Sequence, residues 1–100
     1  MKQSYTYIIS NPSRTVLYTG VTANLKLRIT QHKNGTGSVF ARKYNVTDLI
    51  YVEEFTEIEQ AIAREKQIKN WHREWKMNLI KTLNPEMKDL SFSFLGQDPV

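Results

Sequence analysis

One hundred residues and 11.7 kDa are expected to make one domain with one small core. The absence of cysteine excludes a disulfide framework, a thiol nucleophile, a cysteine zinc site and an iron–sulfur cluster, and two histidines leave little for a histidine-rich metal site. The net charge is +4, but residues 1–47 hold seven Lys or Arg and no acid, while all ten acids lie from Asp48 onward. Acids crowd residues 48–59, and residues 64–81 turn basic again. Two basic segments around an acidic one predict a basic face, and a polyanion is its natural partner. An apolar fraction of 40% suits a folded chain rather than a disordered one. No apolar run approaches the ~20 residues of a membrane span. The N-terminus lacks the apolar stretch of a signal peptide. The expected location is the cytoplasm.

Ser4–Ser10 is aromatic and β-branched and reads as a strand. Asn11, Pro12, Ser13 and Arg14 make a turn, because Pro presets φ while Asn and Ser bond the local backbone. Residues 15–21 return as a second strand. A loop of residues 11–14 would set Ser10 opposite Thr15 and Tyr7 opposite Tyr18. Asn24 can cap a helix running to Lys33, which Asn34 and Gly35 stop. Residues 35–45 read as a basic loop, and residues 49–55 as a third strand. Thr56, with Glu59 three residues on, has the capping-box pattern for a helix reaching Lys69. Residues 71–83 form a further helix, ended by Asn84 and Pro85. The order β-β-α-β-α-α predicts a small α+β fold, a three-stranded antiparallel sheet flanked by helices. Residues 1–90 form the domain and residues 91–100 a C-terminal tail.

Several polar residues fall on faces that should be apolar. In the helix after Thr56, Ile58, Ala61, Ile62 and Ile68 form a stripe with Glu65 inside it. A carboxylate facing a core must be paired, protonated or metal-bound. In the first helix, Arg28 and His32 share the inner face with Leu25 and Ile29, spaced i to i+4. Two readings stand open. One is a buried Arg28–Glu65 ion pair with His32 as a satisfied edge residue. The other is a functional cluster of Arg28, His32, Glu65, Tyr7 and Tyr18. Trp71 and Trp75 read as core anchors, and Glu53 with Glu54 as a solvated edge.

These residues resemble the GIY-YIG nuclease superfamily, particularly its small members similar to the nuclease module of excision-repair endonucleases. Tyr5-Thr6-Tyr7 stands at the first family motif and Tyr18-Thr19-Gly20 at the second. The run from Asn24 to His32 resembles the helix that carries the family's Arg and, four residues on, a His. Residues 64–69 resemble the helix that carries its metal-binding Glu, and Leu83-Asn84-Pro85 its closing segment. The chain departs from the pattern by lacking Gly-Ile in the first motif. Thr19 stands for Ile in the second, and Val21 and Thr22 stand where some members place a Lys. The resemblance implies a divalent-metal-dependent DNA endonuclease, as in DNA repair or recombination. Its metal, Mg²⁺ or Mn²⁺, would sit on Glu65. Arg28 would clamp the scissile phosphate. Tyr7 or Tyr18 would act as base or proton relay, Tyr7 being preferred with Tyr18 as its hydrogen-bonded partner, and Arg28 and the metal would have to lower the pKa of that phenol. His32 would orient a tyrosine or touch phosphate. Lys26, Lys33, Arg42 and Lys43 would hold the DNA backbone, with Gly20 and Asn84 in support. The alternatives are a nucleic-acid-binding module with little turnover and a protein-interaction domain using Trp71, Trp75 and the segment from Phe92 to Leu95. A protein partner could supply targeting.

Overall fold

Strand β1 (Ser4–Ser10) is buried on both faces from Thr6 onward, and a strand covered on both sides must be central. In the computed structural model, which describes residues 3–94, it lies between β2 (Leu17–Thr22) and β3 (Asp48–Phe55), antiparallel to both. Helices cover each face. Tyr7 and Ile9 meet Leu25 and Ile29 of α1 (Leu25–Lys33) and Ala41 of α2 (Val39–Lys43), together with Val46 and Leu49. Ile8, Ile50 and Tyr51 meet Ile68 of α3 (Ile58–Lys69) and Ile80 of α4 (Arg73–Leu83). A bulge opposite Ile8 and Ile9 lets Ile50 and Tyr51, neighbours in β3, both join this second core. The expected α+β architecture and element order stand.

Five local features differ from the sequence expectation. The hairpin loop is longer than residues 11–14, because Asn11 Oδ1 accepts the Thr15 and Val16 amides, each at 2.9 Å. The first pair is therefore Ser10 with Leu17, and Tyr7 faces Gly20 rather than Tyr18. A two-residue slip keeps every side chain on its face, so both tyrosines stay on the α1 side. The basic loop contains α2, capped by Ser38 Oγ accepting the Ala41 amide at 3.0 Å. Five residues are too few to show a helical period. Helix α3 starts after Glu57, with no side-chain cap, and the Gln60 and Ala61 amides go to the Glu57 carbonyl. Glu53 is no solvated edge. Arg64 grips its carboxylate at 2.9–3.1 Å, Tyr51 donates to it at 2.5 Å, and the Arg64 guanidinium lies over Trp71. Trp71 backs the second core, whereas Trp75 is 53% exposed.

The chain after α4 is stapled to β3. Asn84 Nδ2 donates to the carbonyls of Ile50 at 3.0 Å and Lys88 at 2.7 Å, and its Oδ1 accepts the Lys88 amide. Asp89 accepts the Leu49 and Ser91 amides and Lys33 Nζ. Burial acts to raise the Asp89 pKa, but the hydrogen bonds of Lys33 and Ser91 override it and leave the carboxyl below its usual range. Ser91 is buried where the short α5 (Ser91–Phe94) begins, so the expected tail starts inside the fold. Its remainder, Leu95 included, lies outside the described residues. Among the described residues no helix is long and apolar enough to cross a membrane. Asn84→Ala should lower stability by about 1–3 kcal/mol in urea unfolding, because the Ile50 carbonyl is left buried and unpaired. A loss under about 0.5 kcal/mol would mean that the staple carries no net stability.

Candidate active site

The register of β1 on β2 sets the first residue of the site. A Cβ on Gly20 would stand 2.5 Å from Tyr7 Cζ and would overlap its hydroxyl. Because Gly20 has none, the Tyr7 ring crosses β2 and reaches α1. There its hydroxyl meets His32 Nε2 at 3.1 Å. His32 is 2% exposed and sits in the last turn of α1, one turn beyond Arg28. With the proton on Nδ1, the imidazole accepts from Tyr7. With the proton on Nε2, it donates to the Tyr7 oxygen. In either state His32 Nδ1 is buried without a partner among the described residues.

The reason lies in Gly37, a residue the sequence reading passed over. A Cβ there would fall 2.5 Å from His32 Nδ1 and 2.8 Å from Cε1. The Gly37 carbonyl also accepts Arg28 Nη1 at 3.2 Å. One backbone unit thus seats both the histidine and the arginine. Its φ is not left-handed, so space rather than conformational freedom requires glycine. The sequence signal was faint: Gly35 and Gly37 two apart in a loop. Gly35 serves differently, taking φ +77° after α1 ends at Asn34.

Glu65 projects from α3 with its side chain only 12% exposed and pairs with Lys69 Nζ at 2.5 Å. That ammonium also stands 6.0 Å from the Tyr18 ring centre. Tyr18 enters by its ring, packed against His32 at 5.9 Å. Burial pushes the Tyr7 pKa up, helped by Tyr18 and Glu65 and opposed by Arg28. The five expected residues are therefore brought together. Burial, and after it the Arg28 charge, lowers the His32 pKa to about 4.

Several expectations are corrected by this geometry. The buried Arg28–Glu65 ion pair does not form, since Lys69 takes the carboxylate and the Gly37 carbonyl takes the guanidinium. Tyr7 bonds His32, not Tyr18. Its pKa moves up rather than down, because burial outweighs Arg28 in the free protein. Lys33 is not a free phosphate ligand: its ammonium donates to Asp89 at 2.8 Å and to the Thr47 carbonyl at 3.0 Å. Lys26, Arg42 and Lys43 are exposed and join no ion pair among the described residues. Asn84 does not join the cluster, since its amide is tied to Ile50 and Lys88.

Among the described residues no three His, Asp or Glu gather as a ready-made metal site. A lone, largely buried carboxylate fits a hard cation such as Mg²⁺ or Mn²⁺ that keeps waters and takes further oxygens from a substrate phosphate. It does not fit a ligand-rich zinc or calcium site.

The His32 imidazole should titrate near pH 4 by NMR, and Arg28→Ala should raise that value. The folded pKa lies below the ordinary 6.5, so the unfolded chain binds a proton in that window which the folded chain refuses. The His32 contribution to stability is therefore complete above pH 6.5 and falls as pH drops towards 4. Gly37→Ala should move the His32 pKa back towards 6.5, by driving the ring out of its seat. An unchanged titration in Gly37→Ala would refute that seating.

Residues 3–78 match the family model described as the GIY-YIG catalytic domain. A UPF0213 protein of Staphylococcus haemolyticus is 33% identical over 81 residues, covering 81% of this chain and 98% of the relative. One from Syntrophus aciditrophicus is 34% identical, covering 86% and 98%. One from Clostridium perfringens is 38% identical, covering 79% and 84%. The solution NMR structure of a UPF0213 protein from Bacillus halodurans shares the fold, with a TM-score of 0.57 and 24% identity over 90% of this chain and 95% of that one. A tyrosine laid across the glycine of the second motif, an arginine and histidine one turn apart, and a glutamate on α3 occur here within a domain-length match, and this chain belongs to the GIY-YIG catalytic domain family.

Proposed function

We propose that this chain is a divalent-metal-dependent DNA endonuclease that hydrolyses a phosphodiester bond at the cluster of Tyr7, His32, Arg28 and Glu65. The observation that carries this reading is the Tyr7–His32 hydrogen bond, buried within electrostatic reach of both Arg28 and Glu65. Packing has little use for so many ionisable groups on a covered face, whereas phosphoryl chemistry uses each of them.

Glu65 is the residue that would hold Mg²⁺ or Mn²⁺, and the bound ion supplies positive charge against the reacting phosphate and the departing 3′ oxygen. Arg28 keeps one N–H on the Gly37 carbonyl and offers the rest of its fork to non-bridging phosphate oxygens. Tyr7 rests as a neutral phenol. It takes a proton from the attacking water as its own proton passes to His32 Nε2. The water oxygen bonds phosphorus, the bond from phosphorus to the 3′ oxygen breaks, and that oxygen leaves with a proton from solvent. Part of the low His32 pKa comes from Arg28, and a phosphate on Arg28 offsets that part, so substrate itself makes His32 a better acceptor. Tyr18 packs its ring against His32 and helps to hold the imidazole. Lys26, Arg42 and Lys43 position the DNA backbone without reading sequence.

A second reading is a nucleic-acid-binding module with little turnover. The raised Tyr7 pKa and the Lys69 clamp on Glu65 favour it, because both describe a resting site. Supercoiled plasmid separates the two readings. Wild type should nick it with Mg²⁺ or Mn²⁺ and not with EDTA. Glu65→Gln should not nick, and Arg28→Ala should be slower by about 100-fold or more. Glu65→Gln nicking like wild type would overturn the site assignment. Salt-sensitive binding without metal-dependent nicking would establish the second reading.

A further inference from the structure

The aromatic contacts of the site do not end at Tyr18. Beyond it the ring centres step outward, 5.5 Å from Tyr18 to Phe40 and 4.8 Å from Phe40 to Tyr44. The last two rings are open to solvent, Phe40 by 40% and Tyr44 by 42%. Buried Ala41 anchors α2 to the core, and the Tyr44 amide bonds the Phe40 carbonyl, so the two rings stand one turn apart on a held scaffold. Their planes are inclined at 45°, and both rings keep surface exposed to solvent.

Cations flank this ladder. Lys43 Nζ lies 5.4 Å from the Tyr44 ring centre, and Lys69 Nζ lies over Tyr18. Arg42 and Lys43 line a hollow of about 480 Å³ beside α2. No acid occurs anywhere in residues 1–47. Flat exposed rings select a planar apolar group, and Arg42 and Lys43, which join no ion pair among the described residues, select an anion attached to it. A nucleotide has both. In duplex DNA the base faces are already stacked, so the rings fit a base that is unpaired.

We propose that Phe40 and Tyr44 form a stacking platform for an unpaired nucleotide beside the phosphate held at Arg28. The substrate class is then DNA with a single-stranded segment rather than blunt duplex. This rests on the nucleic-acid reading of the site and adds a residue pair and a substrate form to it.

The test uses the full chain in EDTA, so that binding is read without cleavage. The probes are a single-stranded oligonucleotide carrying a fluorescent adenine analogue and the blunt duplex of the same sequence. Wild type should bind the single strand at least about tenfold more tightly than the duplex and quench the analogue by stacking. Phe40→Ala and Tyr44→Ala should each weaken single-strand binding about 5- to 150-fold and shift duplex binding less than about twofold. Phe40→Leu keeps the bulk but not the π face and should behave like Phe40→Ala, whereas Phe40→Trp should retain both binding and quenching. Equal affinity for the two probes, or alanine variants that bind the single strand like wild type, would overturn the proposal. Metal-dependent nicking with no stacking signal sinks the platform and leaves the nuclease. Stacking with no nicking on any substrate sinks the nuclease and leaves the platform.

Discussion

Tyr7 lies on a strand buried on both faces, and its polar hydroxyl has to find a partner inside the protein. Two absent side chains make that possible. Gly20 clears the path of the ring across β2, and Gly37 clears a seat for the imidazole it meets. The Gly37 carbonyl then fixes Arg28, so a strand, a helix and a loop are tied to one another by two hydrogen bonds. A methyl group at either glycine would push on an aromatic ring with nowhere to retreat, because the neighbouring residues Ile9, Ile29 and Ala41 are themselves buried. The family's tyrosine and glycine thus belong together for a steric reason.

Charge is divided by location as well as by sequence. Three acids of β3 and the closing segment are matched to cations: Asp48 to Arg14, Asp89 to Lys33, and Glu53 to Arg64. These pairs are partly shielded and tie β3 to its surroundings. Among the described residues, Lys26, Arg42 and Lys43 are left without such partners on α1 and α2. The basic face that composition suggests is therefore narrower than the composition itself. Of these three cations, Lys43 stands beside Tyr44, at the outer end of the aromatic ladder that leads out of the Tyr7–His32 pair.

Much of the site was legible because it rests on helical spacing. Arg28 and His32 share a face by i, i+4 geometry, and Glu65 interrupts an apolar stripe, whatever the helices pack against. Partners were less legible. Lys69 rather than Arg28 holds Glu65, since a neighbour one turn away in the same helix needs no tertiary alignment. Lys33 counted as one more cation in a basic run until the closing segment brought Asp89 to it across 56 residues. Gly37 carried almost no signal, because its importance is the space it leaves for a residue on another element.

The sequence by itself determined the type and order of the long elements, the faces of the helices, the basic bias of the first half and the family motifs. These depend on local periodicity, capping and composition, which act over a few residues. Tertiary structure alone decided that Tyr7 faces Gly20, that its hydroxyl meets His32 and that α2 brings Phe40 against Tyr18. It also set the direction in which the Tyr7 and His32 pKa values move. Each of these depends on strand register and on burial among residues far apart in the chain. Register follows from where a loop closes, and burial exists only once both faces of the sheet are covered.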